Sequence, residues 1–393
     1  MSSTKPESIF TVAFALLCTT QFLGYAQHYL LQPTFALYVT RLGGSPLLVG
    51  VVIASFSITS VLSRPLIGYF ADFWSKTGVL VWGLFAQALS VLFCFFPFIG
   101  ATILANGIRG VGWSGMNTGG YALLAMSAPV NRRGEASGYY GAVQASATII
   151  FPALALWIIN ASFGGFFAVF IFAMVLGILG AGVGLMLARR LPRDPPAPAS
   201  AAAEVWWRSI INMFDQNILL AAALLFCLNL STACLSSFVV LYAEEIGIGG
   251  FGWYFVVTGI TSLLARPLLG LVSDKIGRGS SLVAAYTLEV IGLLIFPLAT
   301  DIIGFIFAGA LYLMGLAIGQ ATIFALAIEK APADRRGRAM ASFSLAFSLS
   351  SGTGGLLGGL VVDMAGYQWM FIVMAVLCAL GFVPTGRCWS QLR

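Results

Sequence analysis

Between Ser8 and Thr40 the chain runs 33 positions without Asp, Glu, Lys or Arg, and between Ala136 and Ala188 it runs 53. Apolar blocks of twenty residues or more make up almost its whole length. About 20 such residues in a helix cross a hydrocarbon core of roughly 30 Å. With no water there, every backbone N–H and C=O has to be satisfied inside the segment, so blocks of this kind are helices. The composition agrees: 59% of the 393 residues are hydrophobic and 9% are charged, against roughly 25% charged in soluble domains. The 45 glycines suit helices that approach closely in lipid. The expected fold is an all-α polytopic membrane protein.

The chain also repeats itself. Arg64-Pro-Leu-Ile-Gly-Tyr-Phe-Ala-Asp72 returns as Arg266-Pro-Leu-Leu-Gly-Leu-Val-Ser-Asp274, displaced by 202 positions. Ala128-Pro-Val-Asn-Arg-Arg-Gly134 returns as Ala331-Pro-Ala-Asp-Arg-Arg-Gly337, displaced by 203. Two echoes in register mean an internal duplication, which in an apolar chain points to a transporter built of two halves. Hydropathy and turn signals place twelve spans, at roughly 9–38, 46–70, 78–98, 101–128, 136–160 and 163–188, then 215–242, 250–272, 281–300, 302–329, 338–362 and 366–386. The expected domains are a six-helix half over 1–188, a linker over 189–214 and a second six-helix half over 215–393. Ala188-Arg-Arg-Leu-Pro-Arg-Asp-Pro-Pro-Ala-Pro-Ala-Ser200 reads as a cytoplasmic linker, since its prolines and charges forbid a buried helix. Glu204-Val-Trp-Trp-Arg208 reads as a short segment lying at the membrane surface.

The net charge of +6 sits in alternate loops. Lys76, Arg132, Arg133, Arg189, Arg190, Lys275, Arg278, Arg335, Arg336 and Arg338 fall on one side, while Arg41, Glu244, Glu245, Asp301 and Asp363 fall on the other. This is the positive-inside pattern, and it places both termini in the cytoplasm of a multi-pass protein of the cell (inner) membrane. The basic excess orients the chain and calls for no nucleic acid. Six scattered cysteines without metal-ligand spacing read as packing residues. The first span is too long for a cleavable signal and is expected to stay as an anchor.

The repeated loop carries a resemblance. Gly270-Leu-Val-Ser-Asp274-Lys275-Ile-Gly277-Arg278 is similar to the Gly-x-x-x-Asp-Arg/Lys-x-Gly-Arg/Lys motif of the major facilitator superfamily. In the first copy Gly68, Asp72 and Lys76 match, with Phe73 and Ser75 in place of the basic residue and the second glycine. The resemblance spans essentially the whole chain. It implies alternating access by two rocking halves, with these loops as gates whose charge pairs break when the protein switches. Arg132, Arg133 and Glu135, and Asp334, Arg335, Arg336 and Arg338, are the expected partners in the next loops.

The resemblance also implies that helices one, four, seven and ten face a central cavity. Two of them support this by spacing alone. In helix one Gln21, Tyr25, His28, Gln32 and Phe35 recur at three and four residues, and in helix four Asn106, Arg109, Trp113, Asn117 and Tyr121 do the same. Polar stripes of this kind face protein or water, since lipid would leave them unsatisfied. Helix seven offers Asn229, Thr232 and Ser236, and helix ten offers Tyr312 and Gln320. Arg109 is the sharpest of these, because a charge at mid-helix costs roughly 2.5–3.5 kcal/mol on insertion scales. Its setting, Arg109-Gly-Val-Gly-Trp-Ser-Gly115, looks like the helix-four arginine motif of proton-coupled members. Arg109, the single histidine His28 and the intramembrane Glu289 are the candidates for proton coupling. Two features depart from the family's drug–proton antiporters: helix one holds no acid, and in helix five Phe151 precedes Pro152 where a glycine is expected.

No metal cluster, phosphate loop or serine–histidine–acid set is present in the sequence, so an enzyme and a bound cofactor are not expected. The function expected is proton-driven export of small amphipathic molecules by a monomer in the bilayer. The alternative is transport of an organic anion or zwitterionic metabolite through Arg109.

Overall fold

The computed structural model describes residues 9–127, 132–162, 164–191, 219–330, 336–387 and 389, with backbone alone at 125, 133–134, 266–276, 328 and 336–344. Twelve helices cross it, and no strand occurs among the described residues. The first six are α1 (Val12–Arg41), α2 (Pro46–Phe73), α3 (Lys76–Phe95), α4 (Ile99–Ser127), α5 (Arg133–Asn160) and α6 (Phe166–Ala188). The second six are α7 (Leu219–Glu245), α8 (Gly252–Ile276), α9 (Arg278–Leu298), α10 (Ile302–Lys330), α11 (Arg336–Ala365) and α12 (Tyr367–Arg387). Helix boundaries follow local chemistry. The Thr11 hydroxyl accepts the Phe14 N–H at 3.1 Å to open α1, and Pro46 at the first position of α2 has no N–H to waste. Gly277, at φ +83°, ends α8 and opens α9 in a backbone region that disfavours side chains.

The spans fall within a few residues of those expected, and the halves repeat one packing scheme. In the first, α3 lies on α4 and α6, and α2 on α4; in the second, α9 lies on α10 and α12, and α8 on α10. The linker expected over 189–214 lies outside the described residues from position 192, as does the segment Glu204–Arg208. Among the described residues nine helices are both long and apolar enough to cross a bilayer. The first-half helices missing from that set are α1 and α4, whose polar stripes lower their hydropathy.

The seventh span is not continuous but breaks at Leu230–Ser231 into Leu219–Asn229 and Thr232–Glu245. The Tyr312 hydroxyl of α10 meets both Ser231 Oγ (2.9 Å) and Thr232 Oγ1 (3.2 Å) there.

The halves meet through α2 with α11, α5 with α8, and α1 with α7. A Cβ at Gly50 of α2 would lie 2.7 Å from the Gly355 carbonyl oxygen of α11, and one at Gly359 would lie 2.5 Å from that of Pro46. Trp157 of α5 packs edge-on against Trp253 of α8, with centroids 5.7 Å apart. Gln32 of α1 donates to Ser236 of α7 at 2.6 Å. These contacts gather toward the end of the molecule that carries the α1–α2 loop. Toward the other end, a Cβ at Gly68, Gly138 or Gly141 would meet nothing within 4 Å.

Candidate functional site

Arg109 leaves α4 at mid-height and is 2% exposed. One terminal nitrogen donates to Asn106 Oδ1, one turn back on α4, in a short hydrogen bond. The other lies 3.2 Å from His28 Nδ1 and 3.4 Å from the His28 carbonyl oxygen. The guanidinium carbon sits 5.0 Å from the centroid of Phe35 and 5.4 Å from that of Phe56, within reach of a cation–π attraction. The Nε proton has no acceptor among the described residues. No carboxylate among the described residues pairs with it. A buried positive charge is thus held by an amide, an imidazole, a carbonyl and two rings, all neutral.

The surroundings are aromatic and locked. His28 stacks on Trp113 with centroids 4.1 Å apart and planes 28° apart. Tyr25 packs on the other part of Trp113 at 4.7 Å and donates to Asn117 Oδ1 at 2.9 Å. Asn117 Nδ2 returns to the Trp113 carbonyl at 3.0 Å, and Asn106 Nδ2 ties α4 to the Val52 carbonyl of α2 at 2.6 Å. Gln21 is buried and donates to the Met116 carbonyl at 3.2 Å. Helices α1 and α4 therefore bring their two stripes together, as their spacing predicts. Tyr121, at the far end of the α4 stripe, is exposed and reaches Gln144 of α5 at 3.5 Å.

In the second half Gln320 of α10 donates to Asn229 Oδ1 at 2.8 Å, and Asn229 Nδ2 to the Leu225 carbonyl at 3.2 Å. With Tyr312, Ser231, Thr232 and Ser236 these make a polar seam at the break in α7. Ser236 joins the two halves of the candidate set through Gln32. Glu289 stands apart from this set. It is fully buried on α9, takes the Cys378 thiol of α12 at 2.9 Å through Oε2, and leaves Oε1 without a partner among the described residues.

Two residues escaped the sequence reading. Phe56 contributes a ring to the Arg109 cradle from α2, a helix whose apolar run gives it no distinguishing mark. Arg64, singled out only as part of the repeat, crosses between the halves and donates to Ser348 of α11 at 2.8 Å.

Of the expected gate residues, Gly68 faces open space and Asp72 is exposed at the end of α2. Lys76 begins α3. Arg278 pairs with Glu329 at the end of α10, and that hydrogen bond holds the Glu329 carboxyl below its ordinary range. Arg132 is gripped by both oxygens of Glu135, at 3.0 Å each, within its own turn. The side chains of Gly270, Asp274, Lys275, Arg133, Asp334, Arg335, Arg336 and Arg338 lie outside the described residues.

Two pseudo-symmetric six-helix halves, with polar stripes on their inner helices and a loop sequence repeated in both, have the architecture of a membrane transporter. The Major Facilitator Superfamily model matches residues 17–251 and 221–390, and the chain belongs to that family. It is 25% identical to the uncharacterized MFS-type transporter YhhS of Escherichia coli K12, covering 88% of this chain and 84% of that one. It is 22% identical to the staphylopine export protein of Staphylococcus aureus, with 86% of each covered. Among solved structures, a bacterial homolog of the lysosomal transporter Spinster superposes with a TM-score of 0.79 at 11% identity, covering 99% of this chain and 98% of that one. The POT family transporter PepTSo gives 0.79 at 13% identity, covering 99% and 100%. The chain is a multi-pass membrane transporter, not an enzyme.

Proposed function

We propose that the chain carries a small amphipathic molecule with an anionic group, which Arg109 grips against the wall formed by Trp113, His28, Phe35 and Phe56. The observation that carries this is the buried guanidinium with neutral partners alone and a spare Nε donor. A carboxylate or similar group would supply the missing counter-charge through charge-assisted hydrogen bonds, which are roughly twice as strong as neutral ones. A lipophilic cation would meet that charge without an acid to offset it.

His28 then sets the sign of coupling. Arg109 donates, so Nδ1 of His28 accepts through its lone pair. A proton arriving at Nδ1 removes the acceptor, adds a second positive charge beside the first and frees the arginine donor. Proton and anion favour each other, and the two move together in one direction. Glu289, sealed on α9 against Cys378, serves packing in this reading rather than coupling.

A second reading is proton-driven export of neutral or cationic amphipathic molecules. The similarity to the staphylopine export protein supports export, and the aromatic wall suits such substrates. Inside-out vesicles, with termini and basic loops outward, separate the two. Substrate-evoked proton movement is recorded for panels of organic anions, neutral drugs and lipophilic cations. We expect responses to anions, with protons moving in the same direction, and their loss with Arg109→Ala. Proton release from the lumen on adding a cation or neutral drug would establish the second reading instead.

A further inference from the structure

A cleft of about 310 Å³ opens on the side of the first half, lined by Trp74, Ser75, Thr77, Val81, Trp82 and Leu185 among others. It lies between the start of α3 and the end of α6, away from the candidate transport site. Trp74, Trp82 and Leu185 are exposed, and Trp82 stands six residues into α3, about 9 Å along its axis. The cleft therefore begins at the level of the loops and rises along the membrane-facing wall. Tryptophans in such positions belong to the headgroup layer and the carbons just beneath it.

Its lower end is polar. Thr77 is 7% exposed, lines the cleft and has no hydrogen-bond partner among the described residues. Around it is the first turn of α3, where Ser75 Oγ takes the Gly78 N–H at 3.0 Å and the helix end keeps its partial positive charge. Immediately beyond the lining residue Ala188, Arg189 and Arg190 continue the last turn of α6 through backbone bonds to Leu185 and Leu187. Both are exposed, and no described residue pairs with either guanidinium.

We infer that this cleft holds one anionic glycerophospholipid, its phosphodiester at Thr77, the α3 N-terminus and the two arginines, and an acyl chain along Trp82 and Leu185. A zwitterionic headgroup would bring a cation beside its phosphodiester that the two arginines repel, and a free anion would leave the apolar upper part empty. Anionic lipid is attracted by about 1 kcal/mol per surface Lys or Arg, so two arginines give a preference of roughly tenfold or more.

The test uses the full-length protein in detergent, titrated with phosphatidylglycerol, phosphatidylcholine or inorganic phosphate and read by native mass spectrometry. Wild type is expected to keep one phosphatidylglycerol at least about tenfold more tightly than phosphatidylcholine. Inorganic phosphate is expected not to compete. R189Q/R190Q should erase the preference, and Thr77→Val should weaken retention of both lipids. Both are surface or cleft changes that leave the bundle packing in place, checked by unchanged thermal midpoints without lipid. A photoactivatable acyl chain should label α3 and α6 around Trp82. Equal retention of the two lipids, a preference that survives R189Q/R190Q, displacement by phosphate, or labelling elsewhere would each overturn the inference. None of these readouts depends on transport.

Discussion

Arg109 shows how one residue can organise a membrane site. Its charge is buried among neutral groups, and hydrogen bonds to charged groups contribute about 1.5–3 kcal/mol each. Arg109→Ala should therefore weaken substrate binding by roughly ten- to a hundredfold, with the protein still folded, as measured by ligand titration and size-exclusion profile. Arg109→Lys keeps the charge but loses the planar fork, so it should recover only part of that loss. His28→Gln keeps an acceptor opposite the guanidinium and loses the titrating nitrogen. Wild type should bind the anion more tightly as pH falls, because a proton on His28 frees the arginine donor, and H28Q should bind it with no such pH dependence. An unchanged pH profile in H28Q would return His28 to a packing role. Arg109 was legible in the sequence as a candidate, since a charge within an apolar helix stands out. The Phe56 ring that completes its cradle was not, because a phenylalanine in an apolar helix looks the same whether it faces lipid or a guanidinium.

At the scale of elements, the contact of α2 with α11 depends on missing side chains. Gly50 and Gly359 allow backbone to approach backbone, and a Cβ at Gly359 would fall 3.1 Å from the Gly50 Cα. Gly359→Leu should force the two helices apart, with an overpacking penalty of about 1–3 kcal/mol. Because these glycines join the halves at the α1–α2 end, the substitution should favour the conformation open there. Cysteines placed near Gly44 would then label faster than in wild type. In the sequence Gly50 and Gly359 belong to the 45 glycines that suit close helix packing, and the helix each meets was not visible. The break in α7 had no clear signal: Asn229-Leu-Ser-Thr232 contains neither proline nor glycine. The side chains at the break meet the Tyr312 hydroxyl, a contact 80 residues away in the chain.

For the whole molecule, alternating access requires the halves to separate where they now touch. Gln32 and Ser236 face each other across that boundary at 2.6 Å. Joining them as cysteines by a disulfide should stop transport completely, and reductant should restore it. Transport that persists while cross-linked would mean that α1 and α7 do not part during the cycle.

Twelve crossings, two matching halves and the inward stripes of α1 and α4 followed from the sequence, because bilayer thickness, backbone satisfaction and the cost of polar groups in lipid all act locally along the chain. Which groups surround Arg109, where α7 breaks, and that Glu289 is sealed against Cys378 away from the polar seam were decided only by tertiary structure. Those outcomes depend on which helices are neighbours and on the rotation of each about its axis. Neither is written in the hydropathy of a single helix.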